Sequence, residues 1–146
     1  MATTLWRPGR WLFTVAASLM IVTAALHTLG NLSPGPEAGA LKVLFTDMGS
    51  YHFPLGLGMT PSLLDIYWTL VFTMSITFAA LGSLNLLIAA SPDVTDDLLR
   101  RLTWVNILWV GALLMLSIAY RIPPPLISAV VIEAVLLASQ FTSTSR

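Results

Sequence analysis

Residues 125–141 read PLISAVVIEAVLLASQF, an apolar run interrupted by a single carboxylate, that of Glu133. A run of this length can cross a bilayer, which takes roughly 17 to 25 mostly apolar residues in a helix. A carboxylate at membrane depth is costly, and such residues usually face a bundle interior or a cavity and often mark a functional site. The stretch therefore predicts a membrane-spanning helix and makes Glu133 the first candidate functional residue.

Three other apolar runs have the length of a membrane span: residues 11–32, 63–90 and 98–120. Each is expected to be a helix, because a single segment in lipid has to satisfy its own backbone hydrogen bonds. The breaks between the runs are Pro61-Ser62 before the second, Ser91-Pro92-Asp93 after it, and Pro123-Pro124-Pro125 before the fourth. The predicted fold class is all-α, a four-helix transmembrane bundle forming one integral membrane domain over residues 1–146.

The composition excludes several classes of protein. Of the 146 residues, 56% are hydrophobic and 10% are charged, which is far too apolar for a soluble domain of this size. Seven basic and seven acidic residues balance to zero net charge, so no basic field exists to attract nucleic acid. The chain has no cysteine, which excludes disulfides, thiolate metal sites and a cysteine nucleophile. No metal-ligand spacing, phosphate-binding glycine loop or nucleotide fingerprint occurs, so no cofactor or metal is predicted.

The connection between the first two spans, residues 33–60, is the only long one. It starts with the breaker Ser33-Pro34-Gly35-Pro36 and continues with apolar residues at helical spacing: Leu41, Leu44, Phe45 and Met48. This spacing predicts a short amphipathic helix that lies at the membrane surface or caps the bundle. An irregular loop follows, which is either functional, as structured loops of this length often are, or a surface loop with no ligand.

The basic residues predict the orientation of the chain in the membrane. Cytoplasmic loops carry an excess of lysine and arginine. Five arginines fall on one side of the predicted spans: Arg7, Arg10, Arg100, Arg101 and Arg146. Only Lys42 and Arg121 fall on the other side. Both termini are therefore expected to be cytoplasmic, with the long connection and the triple-proline corner on the outer side.

Several residues carry a resemblance to a known group of proteins. They are His27, Leu64-Asp65-Ile66-Tyr67-Trp68, Leu84-Asn85-Leu86, Leu99-Arg100-Arg101-Leu102, Asn106, and Tyr120 followed by three prolines. In this order they resemble a group of small bacterial four-helix membrane proteins whose function is not assigned. The resemblance covers most of the chain. It implies the fold and a bacterial inner membrane, and it carries no catalytic residues.

On a helical wheel, each predicted span has one face that carries most of its polar groups. These faces should turn inward, because lipid offers no hydrogen bonds. With the predicted orientation, most of the polar groups lie toward the outer end of the bundle. Glu133 lies deeper, roughly 15 Å below the triple-proline corner at about 1.5 Å per residue. The sequence therefore predicts a pocket that opens outward and narrows to Glu133.

The candidate site residues form two groups. The candidates for catalysis are Glu133 as a buried acid, with His27 or Asp65 as its proton partner. The candidates for ligand binding are Asn31, His52, Tyr67, Trp68, Asn106, Trp109 and Tyr120.

Each catalytic candidate also has a structural alternative. A protonated Glu133 can be hydrogen-bonded inside the bundle, where the expected partners are Asn106, Ser75 and Thr23. His27 can be satisfied within the bundle or at the membrane interface. Asp65 can be a carboxylate in the first turn of its helix, where it complements the positive end of the helix dipole.

The pattern favours a membrane protein that binds a lipophilic small molecule in a pocket between its helices, such as a quinone, an isoprenoid or a sterol-like compound. Acid–base isomerisation or cyclisation would need no cofactor there. The alternative is a non-catalytic accessory subunit of a larger membrane complex, or a homo-oligomer, which the ridge of small residues Ser75, Ala79 and Ser83 favours. A transporter or proton channel ranks last, because the chain shows no inverted repeat.

Overall fold

The computed structural model describes residues 8–32, 38–121 and 123–143. Within these ranges the fold is all-helical and contains no strand, as predicted. The helices are α1 (Pro8–Asn31), α2 (Ala40–Ser50), α3 (Leu63–Ala90), α4 (Asp96–Ala119) and α5 (Pro123–Ser143). Helices α1, α3, α4 and α5 are long and apolar enough to cross a membrane.

The bounds of the long helices agree closely with the apolar runs. α3 has the predicted bounds, and the ends of the other three differ from the prediction by one to three residues. The differences arise mostly because helical backbone continues into polar or proline-containing turns that an apolar pattern leaves out. The predicted breaker at residues 33–36 lies outside the described residues.

Local hydrogen bonds explain where α3 and α4 begin. The backbone N–H and the hydroxyl of Ser62 both donate to Oδ2 of Asp65, at 2.9 and 2.7 Å, and the N–H of Asp65 donates back to the hydroxyl. This reciprocal pattern is a capping box. α4 begins after Thr95, whose hydroxyl oxygen accepts from the N–H of Leu98. Both caps satisfy backbone donors that have no partner inside the helix.

The chain divides into two compact units, one made of Met1–Thr23 and Phe78–Arg146 and the other of Ala24–Thr77. The first unit contains the N-terminal part of α1, the C-terminal part of α3, and all of α4 and α5. Its largest fully buried side chains are Phe13, Met20, Phe78, Thr103, Val110, Ile132 and Leu136.

In the first unit α1 and α3 approach each other very closely. A Cβ atom built on Gly82 would lie 2.7 Å from the carbonyl oxygen of Ala17 and 2.8 Å from Cγ1 of Ile21. Glycine therefore permits a backbone contact that any other residue would prevent. Ser83, which belongs to the predicted ridge of small residues, is exposed, so the close approach depends on its neighbour instead.

Polar contacts also connect the helix ends of the first unit. Nη2 of Arg10 donates to the carbonyl oxygen of Val94 at 2.7 Å. The hydroxyl of Ser139 donates to the carbonyl oxygen of Gly9 at 2.8 Å, and Nε2 of Gln140 donates to that of Arg100 at 2.7 Å. These bonds hold α1, α4, α5 and the turn before α4 together at one end of the unit.

In the second unit α2 packs on the start of α3 through aromatic rings. The ring of Phe45 lies 6.0 Å from that of Tyr67 and 6.2 Å from that of Trp68. A Cβ on Gly49 would lie 3.7 Å from Leu64, an ordinary contact distance. The segment that follows α2, residues 51–62, forms an ordered hairpin loop closed by backbone hydrogen bonds.

Candidate functional site

Glu133 lies on the packed side of α5. Ala129, one helical turn before it, and Leu136, nearly one turn after it, are both buried. Gln140, seven residues after Glu133, is buried as well. The carboxylate therefore leaves α5 on the face that packs within the first unit, which is the face the sequence pattern assigns to it.

The carboxylate rests against the backbone of α4. A Cβ atom built on Gly111 would lie 3.6 Å from Oε1 of Glu133. This is an ordinary contact distance, so the carboxylate lies directly beside the position of Gly111 on α4. Oε2 is buried and has no hydrogen-bond partner among the residues that the structure describes. A buried polar atom without a partner costs roughly 1–3 kcal/mol, so this atom has a strong tendency to bind a donor.

Asn106, one of the hydrogen-bond partners expected for a protonated Glu133, bonds to other groups in the structure. Nδ2 of Asn85 donates to Oδ1 of Asn106 at 2.9 Å, and Nδ2 of Asn106 donates to the carbonyl oxygen of Leu102 at 2.8 Å. Both asparagines are buried, and Nδ2 of Asn85 also lies 3.8 Å from the sulfur of Met20. Asn106 thus connects α4 to α3 and does not satisfy the acid.

His27 belongs to the second unit and pairs with a serine. Its Nδ1 lies 2.9 Å from the hydroxyl oxygen of Ser75, which is buried. Nδ2 of Asn31 donates to the backbone carbonyl oxygen of His27 at 2.7 Å. The contact links α1 to α3 within this unit and holds the imidazole in one orientation. A histidine fixed in this way can exchange a proton through its other ring nitrogen.

Asp65 is engaged at the start of α3. Its carboxylate accepts both hydrogen bonds from Ser62 in the capping box, and the residue is exposed. The structure thus shows the arrangement that the structural alternative describes, a first-turn carboxylate at the positive end of a helix. Its catalytic role stays a prediction.

The predicted ligand-binding residues occupy varied environments. Tyr67 and Trp68 are half-buried in an aromatic cluster, in which Trp68 also stacks on Phe72 at 5.9 Å. Trp109 packs edge-on against Phe78 at 4.8 Å. His52 is exposed, with Nδ1 2.9 Å from the carbonyl oxygen of Ser50. Tyr120 follows the end of α4 and is 73% exposed.

The two units divide the candidate residues between them. The first unit contains Glu133, Asn106, Trp109 and Tyr120, and the second contains His27, Asn31, His52, Asp65, Tyr67 and Trp68. That all of them line one pocket stays a prediction. Across residues 8–32, 38–121 and 123–143 there is no group of three or more histidine and acidic side chains that could hold a metal ion.

Two residues of this region were missed by sequence reasoning, Asn85 and Gly111. Asn85 is an isolated amide in an apolar run, which is itself a sign of a buried polar contact. Gly111 is an isolated glycine in a helical run, and such glycines often have a packing reason. Neither sign identifies the partner, because the partner depends on how the helices are rotated against one another.

Comparisons of the chain with protein-family models, with curated proteins and with solved structures find no match. The resemblance to small bacterial four-helix membrane proteins therefore stays a prediction.

Proposed function

We propose that this chain is a membrane protein that binds a lipophilic small molecule through Glu133. The observation that supports the proposal is the buried Oε2 atom, which has no hydrogen-bond partner among the described residues. A hydroxyl group on the ligand would donate to this atom, and a ligand carbonyl would accept a proton from the acid in its neutral form. Gly111 of α4 lies beside the other carboxylate oxygen and has no side chain of its own to cover the acid.

The apolar surroundings suggest the class of ligand. Ile132 and Leu136 are buried beside Glu133 on α5, and the four long helices are apolar enough to lie in lipid. A ligand with a long apolar body and one or two polar atoms, such as a quinone, an isoprenoid or a sterol-like compound, matches this combination. Acid–base isomerisation or cyclisation is the reaction class that a single buried acid serves best, with Glu133 delivering or removing the proton.

Native mass spectrometry with lipid analysis of the purified protein tests the proposal. The wild-type protein is expected to retain a lipophilic molecule of defined mass. Glu133→Gln keeps one acceptor oxygen and is expected to retain several-fold less of it, whereas Glu133→Leu removes every polar atom and is expected to retain none. Asp47→Asn is the matched control, because it also removes one carboxylate charge but lies exposed on α2. It should retain as much ligand as the wild-type protein.

Two results would contradict the proposal. A Glu133→Leu protein with the same bound molecules as the wild-type protein would show that the carboxylate does not hold the ligand. A protein–protein complex that persists in wild-type spectra and dissociates in Glu133→Leu would favour the alternative, in which the acid pairs with a neighbouring membrane protein or a second copy of the chain.

The cellular placement belongs to the same proposal. We infer a bacterial inner membrane with both termini in the cytoplasm, supported by the bias of arginines in the sequence. We also infer that α2 is an amphipathic helix at the outer surface of the membrane. None of its residues, all of which the structure describes, is buried, and Phe45 anchors it to the start of α3.

A further inference from the structure

The hairpin loop, residues 51–62, has an ordered backbone that ends in a tight turn. The N–H of Phe53 donates to the carbonyl oxygen of Pro61 at 3.0 Å, and that of Leu55 donates to the carbonyl oxygen of Met59 at 3.1 Å. The three residues at the tip have positive φ angles: 83° at Gly56, 51° at Leu57 and 75° at Gly58. Glycine adopts such angles freely, but leucine adopts them only at an energetic cost.

The side chains at the tip are apolar and point away from the protein. Leu57 is 96% exposed, Leu55 is 60% exposed and Met59 is 53% exposed. No charged residue occurs from residue 48 to residue 64. These three neighbouring apolar side chains form a small apolar patch, which burial in an apolar environment would stabilise.

The loop is attached firmly to the end of a helix that is long enough to cross the membrane. The N–H of Leu63, the first residue of α3, donates to the carbonyl oxygen of Tyr51 at 2.8 Å. α3 has 28 residues. At about 1.5 Å per residue it is about 42 Å long, and a bilayer with its headgroups is about 40–45 Å thick. If α3 crosses the bilayer along its whole length, Leu63 lies at the level of the lipid headgroups.

The tip can reach the lipid from this position. Leu63 is six positions after Leu57 in the sequence, so the tip lies at most about 20 Å from the end of α3 at about 3.3 Å per residue. Aromatic residues are found on both sides of this junction: Tyr51 packs against Phe53 at 4.8 Å, and Tyr67 and Trp68 lie in the first turns of α3. Tyrosine and tryptophan are enriched at this depth of the membrane.

We propose that the tip of the hairpin loop, Leu55 to Met59, inserts into the interfacial region of the lipid bilayer. The occupant of this surface is lipid, because the loop offers no charged residue to fix the orientation of a protein partner, and protein interfaces have a polar rim. The loop thereby fixes the depth of α3 in the membrane and gives α2 a second point of contact with the surface.

The absence of cysteine makes the depth of the tip directly measurable. Leu57→Cys is labelled with an environment-sensitive fluorophore, and the full chain is reconstituted into vesicles that contain lipids with a spin label near the headgroup. Ser50→Cys is the matched control, because Ser50 is exposed and is the last residue of α2, directly before the hairpin loop begins. The label at 57 is expected to emit at shorter wavelength than the label at 50 and to be quenched at least twofold more strongly by the spin-labelled lipid.

Equal quenching at the two positions, with water-like emission at 57, would overturn the proposal. Strong blue-shifted emission at 57 that spin-labelled lipid does not quench would also overturn it, because the tip would then be covered by protein. Leu57→Asp provides an independent measurement. The variant keeps the fold, because its side chain is exposed, and it is expected to lower the quenching of a label placed at Met59→Cys by at least half. An unchanged signal at this second label would contradict insertion of the tip.

Discussion

At the scale of single residues, Gly82 is a position where an added methyl group has very little room. Gly82→Ala places a carbon 2.7 Å from a backbone oxygen of α1, and backbone cannot move aside as a flexible side chain can. We expect a loss of about 1–3 kcal/mol in the free energy of unfolding, the usual cost of overpacking. Thermal unfolding in detergent, followed by circular dichroism, measures it.

Gly30→Ala is the matched control for this substitution. Gly30 also lies in a long apolar helix, but apart from its adjacent residues and the nearby backbone of its own helix no described heavy atom comes within 4 Å of its added Cβ. Alanine favours helix over glycine by up to about 1 kcal/mol, so the control is expected to be neutral or stabilising. Similar losses at both positions would show that glycine contributes through helix flexibility and not through close packing.

Some residues of the candidate site could be predicted from the sequence without knowing which residues they contact. The cost of a carboxylate at membrane depth made Glu133 a candidate, and the place of Asp65 in the first turn of the predicted second span was enough to predict a first-turn carboxylate. Asn85 was missed because it lies twenty residues after Asp65, about 200° around the helix, and so belongs to the opposite face. α3 has polar residues on two faces, and a prediction of one polar face per helix therefore leaves out Asn85.

At the scale of elements, the hydrogen bond between Asn85 and Asn106 joins α3 to α4. Replacing one asparagine by leucine leaves the other amide buried without its partner, whereas replacing both removes the unmet groups together. We expect the double variant to be more stable than the sum of the single losses predicts, by about 0.6 kcal/mol, the mean for such interhelical hydrogen bonds in membrane proteins. A double-mutant cycle from thermal unfolding in detergent gives this coupling.

Ser117→Ala is the control for that cycle. Ser117 is also a buried polar residue of α4, but its hydroxyl donates to Leu113 in the same helix. Its loss is expected to change stability by less than about 0.5 kcal/mol, because no contact between helices is removed. Strictly additive losses at the two asparagines would mean that their amides contribute independently of each other.

The lengths of the long helices could be predicted from the sequence, but which faces of two helices contact each other could not. The bounds of α3 follow from the sequence because its long apolar run is preceded by Pro61 and followed by Pro92, and a run of this length is sufficient to cross a bilayer. The contact of α1 with α3 at Gly82 depends instead on the rotation of both helices. Any apolar residue can face either lipid or another helix, so the apolar pattern contains little information about that rotation.

At the scale of the whole molecule, the exposed apolar side chains are consistent with a chain embedded in lipid. Leu108 and Met115 on α4 are exposed, as are Ile127 and Phe141 on α5. A soluble protein rarely presents such continuous apolar surface, but lipid covers it without cost. Charged side chains are also found near a helix end: Asp97, at the start of α4, forms exposed ion pairs with Arg100 and Arg101 of the same helix.

Those arginines lead to a prediction about the whole topology. Acidic residues contribute little to membrane orientation, so the pairing of Asp97 with Arg100 and Arg101 does not weaken the cytoplasmic bias of this end of α4. If α3 crosses the membrane, the turn before α4 and the end of α2 must lie on opposite sides. Asp93 and Ser50 are exposed representatives of these two segments.

Single cysteines at these two positions test the topology, because the chain has no cysteine of its own. In bacterial cells whose outer membrane has been removed, a maleimide that cannot cross membranes is expected to label Ser50→Cys at once. Asp93→Cys should be labelled only after the cells are opened. Labelling of both from outside would mean that α3 does not cross the bilayer. The reverse order would keep the crossing but place both termini outside, so five arginines would then have been translocated against the charge bias that orients membrane proteins.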